Sequence, residues 1–314
     1  MHEVTCLGIL VADVVAKTVD AIPRRGQLEL VDRIELHNGG GAINTGNALS
    51  KVGVSTAIIA KVGRDGFGDF LINVAKEYGV DTRGIVRDER VSTSATMVLV
   101  DKTGERSFLH HIGANGELTA DDVDFSIIEA GKLLHVAYAF LMPKLDGEPT
   151  VDILRRAKSR GVVTSLDTVW DAKGRWLEVL EPYFEHLDVF LPSYEEARRI
   201  SGRDEPVDIA SFFLDYGIGT VGIKMGEAGC YVRRGKDEVR MPRFVIPEVV
   251  DTTGAGDCWA AGFLTGLARG WDLEKTARFA NALGALCCTD IGASRGIRTM
   301  EETWKFVASA KLAE

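Results

Sequence analysis

Residues 251–257 of this 314-residue chain read Asp-Thr-Thr-Gly-Ala-Gly-Asp, and residues 39–44 read Gly-Gly-Gly-Ala-Ile-Asn. Both stretches set side-chain-poor positions just ahead of a helical pattern. Glycines let backbone N–H groups turn toward one point, and a helix starting there adds unpaired N–H groups and its positive end. Around Gly254, Ala255 and Gly256 the product is an anion hole suited to a phosphate or a developing oxyanion. Asp257 then falls in the first turn. A carboxylate there either stabilises the helix end by charge alone or accepts a hydroxyl proton while the hole holds the transferring group. Gly40, Gly41 and Asn44 form either a plain glycine turn or a close-approach surface with an amide that donates and accepts at once. Three more candidates stand at expected strand ends: Asp13 after GILVA, Lys224 ahead of Gly226 and Gly229, and Ser193 with Glu196 in SYEE. Their plainer roles are a turn residue, a β-turn between two strands and an exposed helix carboxylate.

The stretch DTTGAGDCWAAGF (251–263) resembles the C-terminal signature of the PfkB/ribokinase family of sugar and nucleoside kinases, and NGGGAINTGNALSKVGVSTAIIAKVGRDGFGDFL (38–71) resembles its N-terminal signature. Their order and separation also match, so the resemblance covers nearly the whole chain. It implies a ribokinase-like three-layer αβα sandwich with a mostly parallel sheet, a small β-sheet lid, ATP as donor and Mg²⁺. By position it implies Asp257 as the base that takes the acceptor's proton, with Gly254, Ala255 and Gly256 as the anion hole. Asp251 and Thr253 match positions that in many members hold a monovalent cation, usually K⁺; the rest of such a site would come from 287–296, where the match is loose. Asp13, Gly40, Gly41 and Asn44 match residues that grip sugar hydroxyls. Lys224, Gly226 and Gly229 resemble the donor-phosphate loop, and Asn281 lies where the family places a polar contact near adenine, although a helix-surface residue reads the same way. Many members carry Asn-x-x-Glu where this chain has Ser193 and Glu196. Glu196 is then expected to act on Mg²⁺ through water, and the shorter Ser193 needs another group or a water to compensate.

Acceptor specificity is expected from the lid and from the loops after 140 and 167. Arg106, Phe108 and His110 alternate on one face of GERSFLHHIGAN, which suits a ring and a cation over a polyhydroxy substrate, or side chains packed in a dimer interface. SLDTVWDAKGRW (165–176) keeps Asp167 but lacks the acid-Pro-Asn-x-Arg pattern of several sugar-acid and fructose kinases. Lys173 and Arg175 are either carboxylate ligands or solvated loop charges. The glutamate that a ribokinase carries after the 132–140 strand is also missing. No particular sugar is therefore assigned, nor the carbon that is phosphorylated.

The elements that must position these residues are legible as a rhythm. Apolar, β-branched runs at 4–11, 55–62, 132–140, 161–168, 187–192 and 220–226 read as buried strands. Helical patterns at 42–52, 66–78, 150–160, 194–201 and 207–216 lie between them, which implies βαβ units and a mostly parallel sheet. Residues 92–101 and 106–112 flank KTGE as a hairpin, and 14–36 lack a helical period. The expected division is an α/β body from 1–12, 37–91 and 113–314, with a β lid from 13–36 and 92–112.

Composition bounds the function class. The chain is 46% hydrophobic, 26% charged and carries a net charge of −9. That balance argues against nucleic-acid or anionic-membrane binding, which need a basic footprint. Five irregularly spaced cysteines suggest reduced, cytoplasmic thiols with no structural zinc. A Rossmann dinucleotide site would need G-x-G-x-x-G straight after the first strand, and ADVVAKTVD stands there instead. The leading expectation is an ATP-dependent kinase for a hydroxyl of a monosaccharide or derivative, dimeric through its lid. A nucleoside kinase of the same fold and a non-catalytic sugar or nucleotide binder are the alternatives.

Overall fold

In the computed structural model, which describes residues 2–313, the apolar runs pair into a sheet whose central strands are buried on both faces. In chain order the elements are β1 (Val4–Gly8), β2 (Val11–Lys17), β3 (Arg33–Gly39), α1 (Gly41–Lys51), β4 (Thr56–Gly63), α2 (Gly66–Glu77), β5 (Asp81–Asp88), β6 (Ala95–Val100), β7 (Arg106–His111), α3 (Phe125–Glu129), β8 (Leu133–Ala139), α4 (Glu148–Ser159), β9 (Val163–Thr168), α5 (Trp176–Phe184), β10 (Val189–Phe190), α6 (Tyr194–Ser201), α7 (Pro206–Asp215), β11 (Thr220–Lys224), β12 (Cys230–Arg234), β13 (Asp237–Met241), α8 (Ala255–Ala268), α9 (Leu273–Cys287) and α10 (Met300–Ser309).

Among the described residues the large sheet runs β13-β12-β11-β10-β9-β8-β1-β4-β5. It is parallel from β11 to β5, with β12 and β13 added antiparallel. One core lies between this sheet and α1, α8 and α9; a second lies under α4 to α7. α8 and α9 approach closely because they meet at small residues: a Cβ on Gly262 would lie 2.6 Å from the Cα of Ala280. That contact seats α8 against α9, and residues 251–257 lead into its first turn.

The smaller sheet runs β3-β2-β6-β7. Its strands reach Val11 and Gly39, two to three residues outside the 13–36 limits read from sequence. The single strand expected over 4–11 is in fact two. The chain leaves the large sheet at Ile9–Leu10, where the Asn115 side chain accepts from the Leu10 N–H (3.3 Å) and donates to the Leu10 carbonyl (2.8 Å). Cross-strand register sorts the small sheet into two faces. Asp13, His37, Thr96 and His110 form one row and Val14, Leu36, Met97 and Leu109 the next. The first row lines the cavity between the small sheet and the body; in the second, Leu36 packs against the body's core while Met97 and Leu109 are exposed.

Candidate active site

Gly254 caps α8 in the left-handed region (φ 76°), and a Cβ there would lie 2.5 Å from Ala293 Cβ. Only glycine fits, so the entry to the helix is fixed by backbone. The Ala255 N–H returns to the Thr252 carbonyl (3.2 Å). Gly256 and Asp257 follow in the first turn, where N–H groups have no intrahelical partner. The Lys224 ammonium stands beside this turn, 3.6 Å from where a Gly256 Cβ would be. A backbone N–H cluster, a helix start and a cation thus converge on one spot.

Asp257 is 2% exposed. Asn44 donates to its Oδ2 (2.8 Å), and Asn38 donates to Asn44 Oδ1 (3.0 Å). Burial pushes the Asp257 carboxyl above the usual range, against the pull of Asn44, the Tyr138 hydroxyl and Lys224. Such a group can take a proton more readily than a solvated aspartate. Gly40 starts α1 at φ 99°, with Ile9 O only 2.4 Å from a would-be Cβ, so α1 is held tightly against the end of β1.

Two cavities of about 540 and 520 Å³ meet at Tyr138 and Val169. The first lies under the lid and is lined by Asp13, Asn38, Gly40, Arg106, Phe108 and His110, among others. Burial raises the Asp13 carboxyl to about 6, the Thr96 hydroxyl opposing and Asp251 adding. The second cavity is lined by Asp257, Ala255, Gly256, Lys224, Gly226, Gly229, Ser193 and Glu196, with Phe244, Ile246 and Val249 as apolar wall. Gly226 and Gly229 (φ 55° and 85°) form the turn that joins β11 to β12, so the plain turn and the cavity wall are the same feature.

Several residues sit differently from the sequence expectation. Asp167 does not line the cavity under the lid. It is 1% exposed and pairs with Lys224 (2.5 Å), the Thr168 N–H holding its other oxygen (2.7 Å). Desolvation raises its carboxyl despite that pair. Asn44 and Gly41 also lie behind the first cavity's wall, Asn44 reaching Asp257 instead of open space. The Asn281 amide is spent internally: it accepts from Trp259 Nε1 (2.7 Å) and donates to the carbonyls of Met241 and Pro242 (2.9 Å each). It lines the second cavity with both amide N–H groups engaged and one lone pair of Oδ1 still open. Arg106 does not reach into the cavity as a free cation. It donates to Asp251 Oδ1 and Thr253 Oγ1, 2.8 Å each.

Ser193 and Glu196 form a capping box on α6, the serine hydroxyl and the glutamate each meeting the other's backbone N–H. Glu196 Oε2 also accepts from Thr168 Oγ1 (2.9 Å). Ser193 therefore serves as the cap of α6 at this position. No group of three or more His, Cys, Asp or Glu side chains among the described residues could hold a metal by itself. One carboxylate beside a phosphate-sized hole still fits Mg²⁺, which keeps several waters and is bound with substrate phosphates.

Tyr138 was missed in the sequence. It adopts φ 77°, touches both cavities and turns its hydroxyl to Asp257. The available signal was an aromatic residue at the carboxyl end of a buried strand, the place where open α/β sheets bind ligands.

A family model described as pfkB family carbohydrate kinase matches residues 1–300. An uncharacterized sugar kinase of Archaeoglobus fulgidus is 32% identical, over 79% of this chain and 97% of its own. An ATP-dependent 6-phosphofructokinase of Thermoanaerobacterium thermosaccharolyticum is 28% identical, over 83% of this chain and 82% of its own. The fold superimposes on an E. coli chain solved as "putative Ribokinase II in complex with ATP and Mg+2", with TM-score 0.84, 26% identity, 98% of this chain and 99% of that one.

Proposed function

The chain belongs to the pfkB family of carbohydrate kinases, and we propose that it transfers the γ-phosphoryl group of ATP to a primary hydroxyl of a monosaccharide or sugar derivative, with Asp257 as general base. The observation that carries this reading is the position of Asp257. It lines the second cavity beside the α8 hole and Lys224, and is hydrogen-bonded to Tyr138, which borders both cavities.

The acceptor lies under the lid, with Asp13 taking ring hydroxyls and the Gly40 backbone in close approach. Phe108 and His110 cover it from above. The nucleotide lies in the second cavity, its base against Phe244, Ile246 and Val249 and its phosphates along Gly226 to Gly229 and the start of α8. Asp257 receives the acceptor's proton, and Asn44 holds its carboxylate in line. The Gly256 and Asp257 N–H groups and Lys224 stabilise the charge of the group in flight. Mg²⁺, when bound, would neutralise charge at the phosphates, and Glu196, which lines the second cavity, would act on it through water.

A homodimer through the lid is part of this reading. On the face of the small sheet turned from the cavity, Ile34, Met97 and Leu109 are 66%, 49% and 63% exposed. A one-faced apolar sheet needs a partner, and a second copy supplies a matching one.

The direct test is ADP release with ATP and Mg²⁺ over pentoses, hexoses, ketoses, sugar acids and nucleosides. Turnover with a sugar or derivative is expected. Turnover confined to nucleosides would move the assignment to a nucleoside kinase, and none with any of them, despite nucleotide binding, to a non-catalytic binder.

A further inference from the structure

The geometry points to Arg106 as a lid-borne positioning residue that assembles the anion hole when the lid is closed, in the place where a monovalent cation would otherwise sit. Arg106 opens β7, an edge strand of the small sheet, yet its guanidinium ends on two consecutive anchors of the 251–257 loop. One N–H group goes to Asp251 Oδ1 and the other to Thr253 Oγ1, each at 2.8 Å, across 145 and 147 residues of sequence. Thr253 directly precedes Gly254, the residue whose left-handed backbone aims the hole. A planar fork spanning two acceptors fixes both position and orientation, which a point charge does less well.

The residues do not fit a monovalent cation as well. Asp251 Oδ1 also accepts the Thr253 N–H (2.9 Å) and Oδ2 the Gly292 N–H (3.2 Å). Burial works against its ionisation, but these amides, the Thr253 hydroxyl and Arg106 together hold its carboxyl below the usual range, so its charge is already matched. The carbonyls of Thr253 and Ala293 face the Cys287 thiol at 3.3 Å each. Within 287–296, Ser294 Oγ is the one buried side-chain polar atom among the described residues without a partner.

The inference rests on the proposed phosphoryl transfer but is read partly without it. Wild-type turnover should be equal in potassium, sodium and tetramethylammonium chloride at matched ionic strength. Arg106→Met should lose about a hundredfold in kcat by misplacing the hole, bind nucleotide as before, and become responsive to potassium. Arg106→Lys should fall between the two. In hydrogen exchange on the nucleotide-free protein, the amides of 253–256 should exchange faster in Arg106→Met than in the wild type. Strong potassium activation of the wild type overturns the inference. So does an Arg106→Met enzyme with raised acceptor KM and unchanged kcat, which would make Arg106 a substrate contact, or unchanged exchange at 253–256. Absence of any phosphoryl transfer by the wild type counts against the kinase reading instead, and leaves the exchange experiment to decide on the clamp.

Discussion

The Asn44 amide donates to Oδ2 of Asp257 over 2.8 Å, joining two glycine-rich stretches that lie 213 residues apart in the chain. Each stretch starts a helix, α1 or α8, and the two helices pack against each other on one face of the sheet. The contact therefore sets the direction of the Asp257 carboxylate from outside its own helix.

Asn44→Ala should leave that oxygen without its donor. A hydrogen bond to the charged form favours ionisation, so its loss raises the Asp257 pKa further. Because turnover needs the ionised form, the acidic limb of the kcat–pH profile should move to higher pH in the variant. A limb that stays in place would show that the contact does not act on the base.

Asp13 is raised to about 6. Above that pH it is a carboxylate able to accept hydroxyl hydrogen bonds, and below it the group is protonated. Acceptor KM should therefore rise as pH falls through this value, while nucleotide KM holds. Asp13→Asn should raise acceptor KM about tenfold or more, the scale of one lost charged hydrogen bond. Steady-state kinetics across the range, with each substrate varied in turn, checks both.

Lys224 and Asp167 form a pair with side chains 13% and 1% exposed. Lys224→Met strands a buried carboxyl, which should lower stability by about 3 kcal/mol near neutral pH. Adding Asp167→Asn should recover most of that loss but none of the turnover. Denaturant melts of the single and double variants read the first effect. A double variant as unstable as the single would mean the pair is not a unit.

On the outer face of the lid, Leu109→Glu places a charge where the proposed partner docks. The residue is 63% exposed, so the isolated fold tolerates it. Sedimentation should show a dimer for the wild type and a monomer for the variant. A wild-type monomer removes the lid interface from the account.

Much of the fold was legible because buried parallel strands are continuous apolar runs, and their spacing alternates with helical periods. The helix read at 194–201 is Tyr194–Ser201. β10 shrank to Val189–Phe190 within the run expected over 187–192. The hidden break at Leu10 depends on Asn115, more than a hundred residues away, and no local pattern carries it. α5 lies in none of the helical patterns read from the sequence, and it carries Pro182 inside it.

At the site, the backbone-determined features were legible and the side-chain pairings were not. Gly254 and Gly40 announce themselves because no other residue fits their conformation. Whether Asp167 meets a substrate or Lys224, and whether Arg106 meets a substrate or Asp251, is decided by tertiary geometry. The same holds for Asn281, whose helical position was clear while its three internal partners were not.

The central claim is that Asp257 takes the acceptor's proton during transfer from ATP. It is tested most directly by comparing the wild type with Asp257→Asn on a sugar that the wild type phosphorylates, measuring turnover together with nucleotide affinity. The account predicts a loss of about 10³-fold or more in kcat, with nucleotide affinity within a few-fold of wild type. An Asp257→Asn enzyme that turns over at the wild-type rate would contradict it.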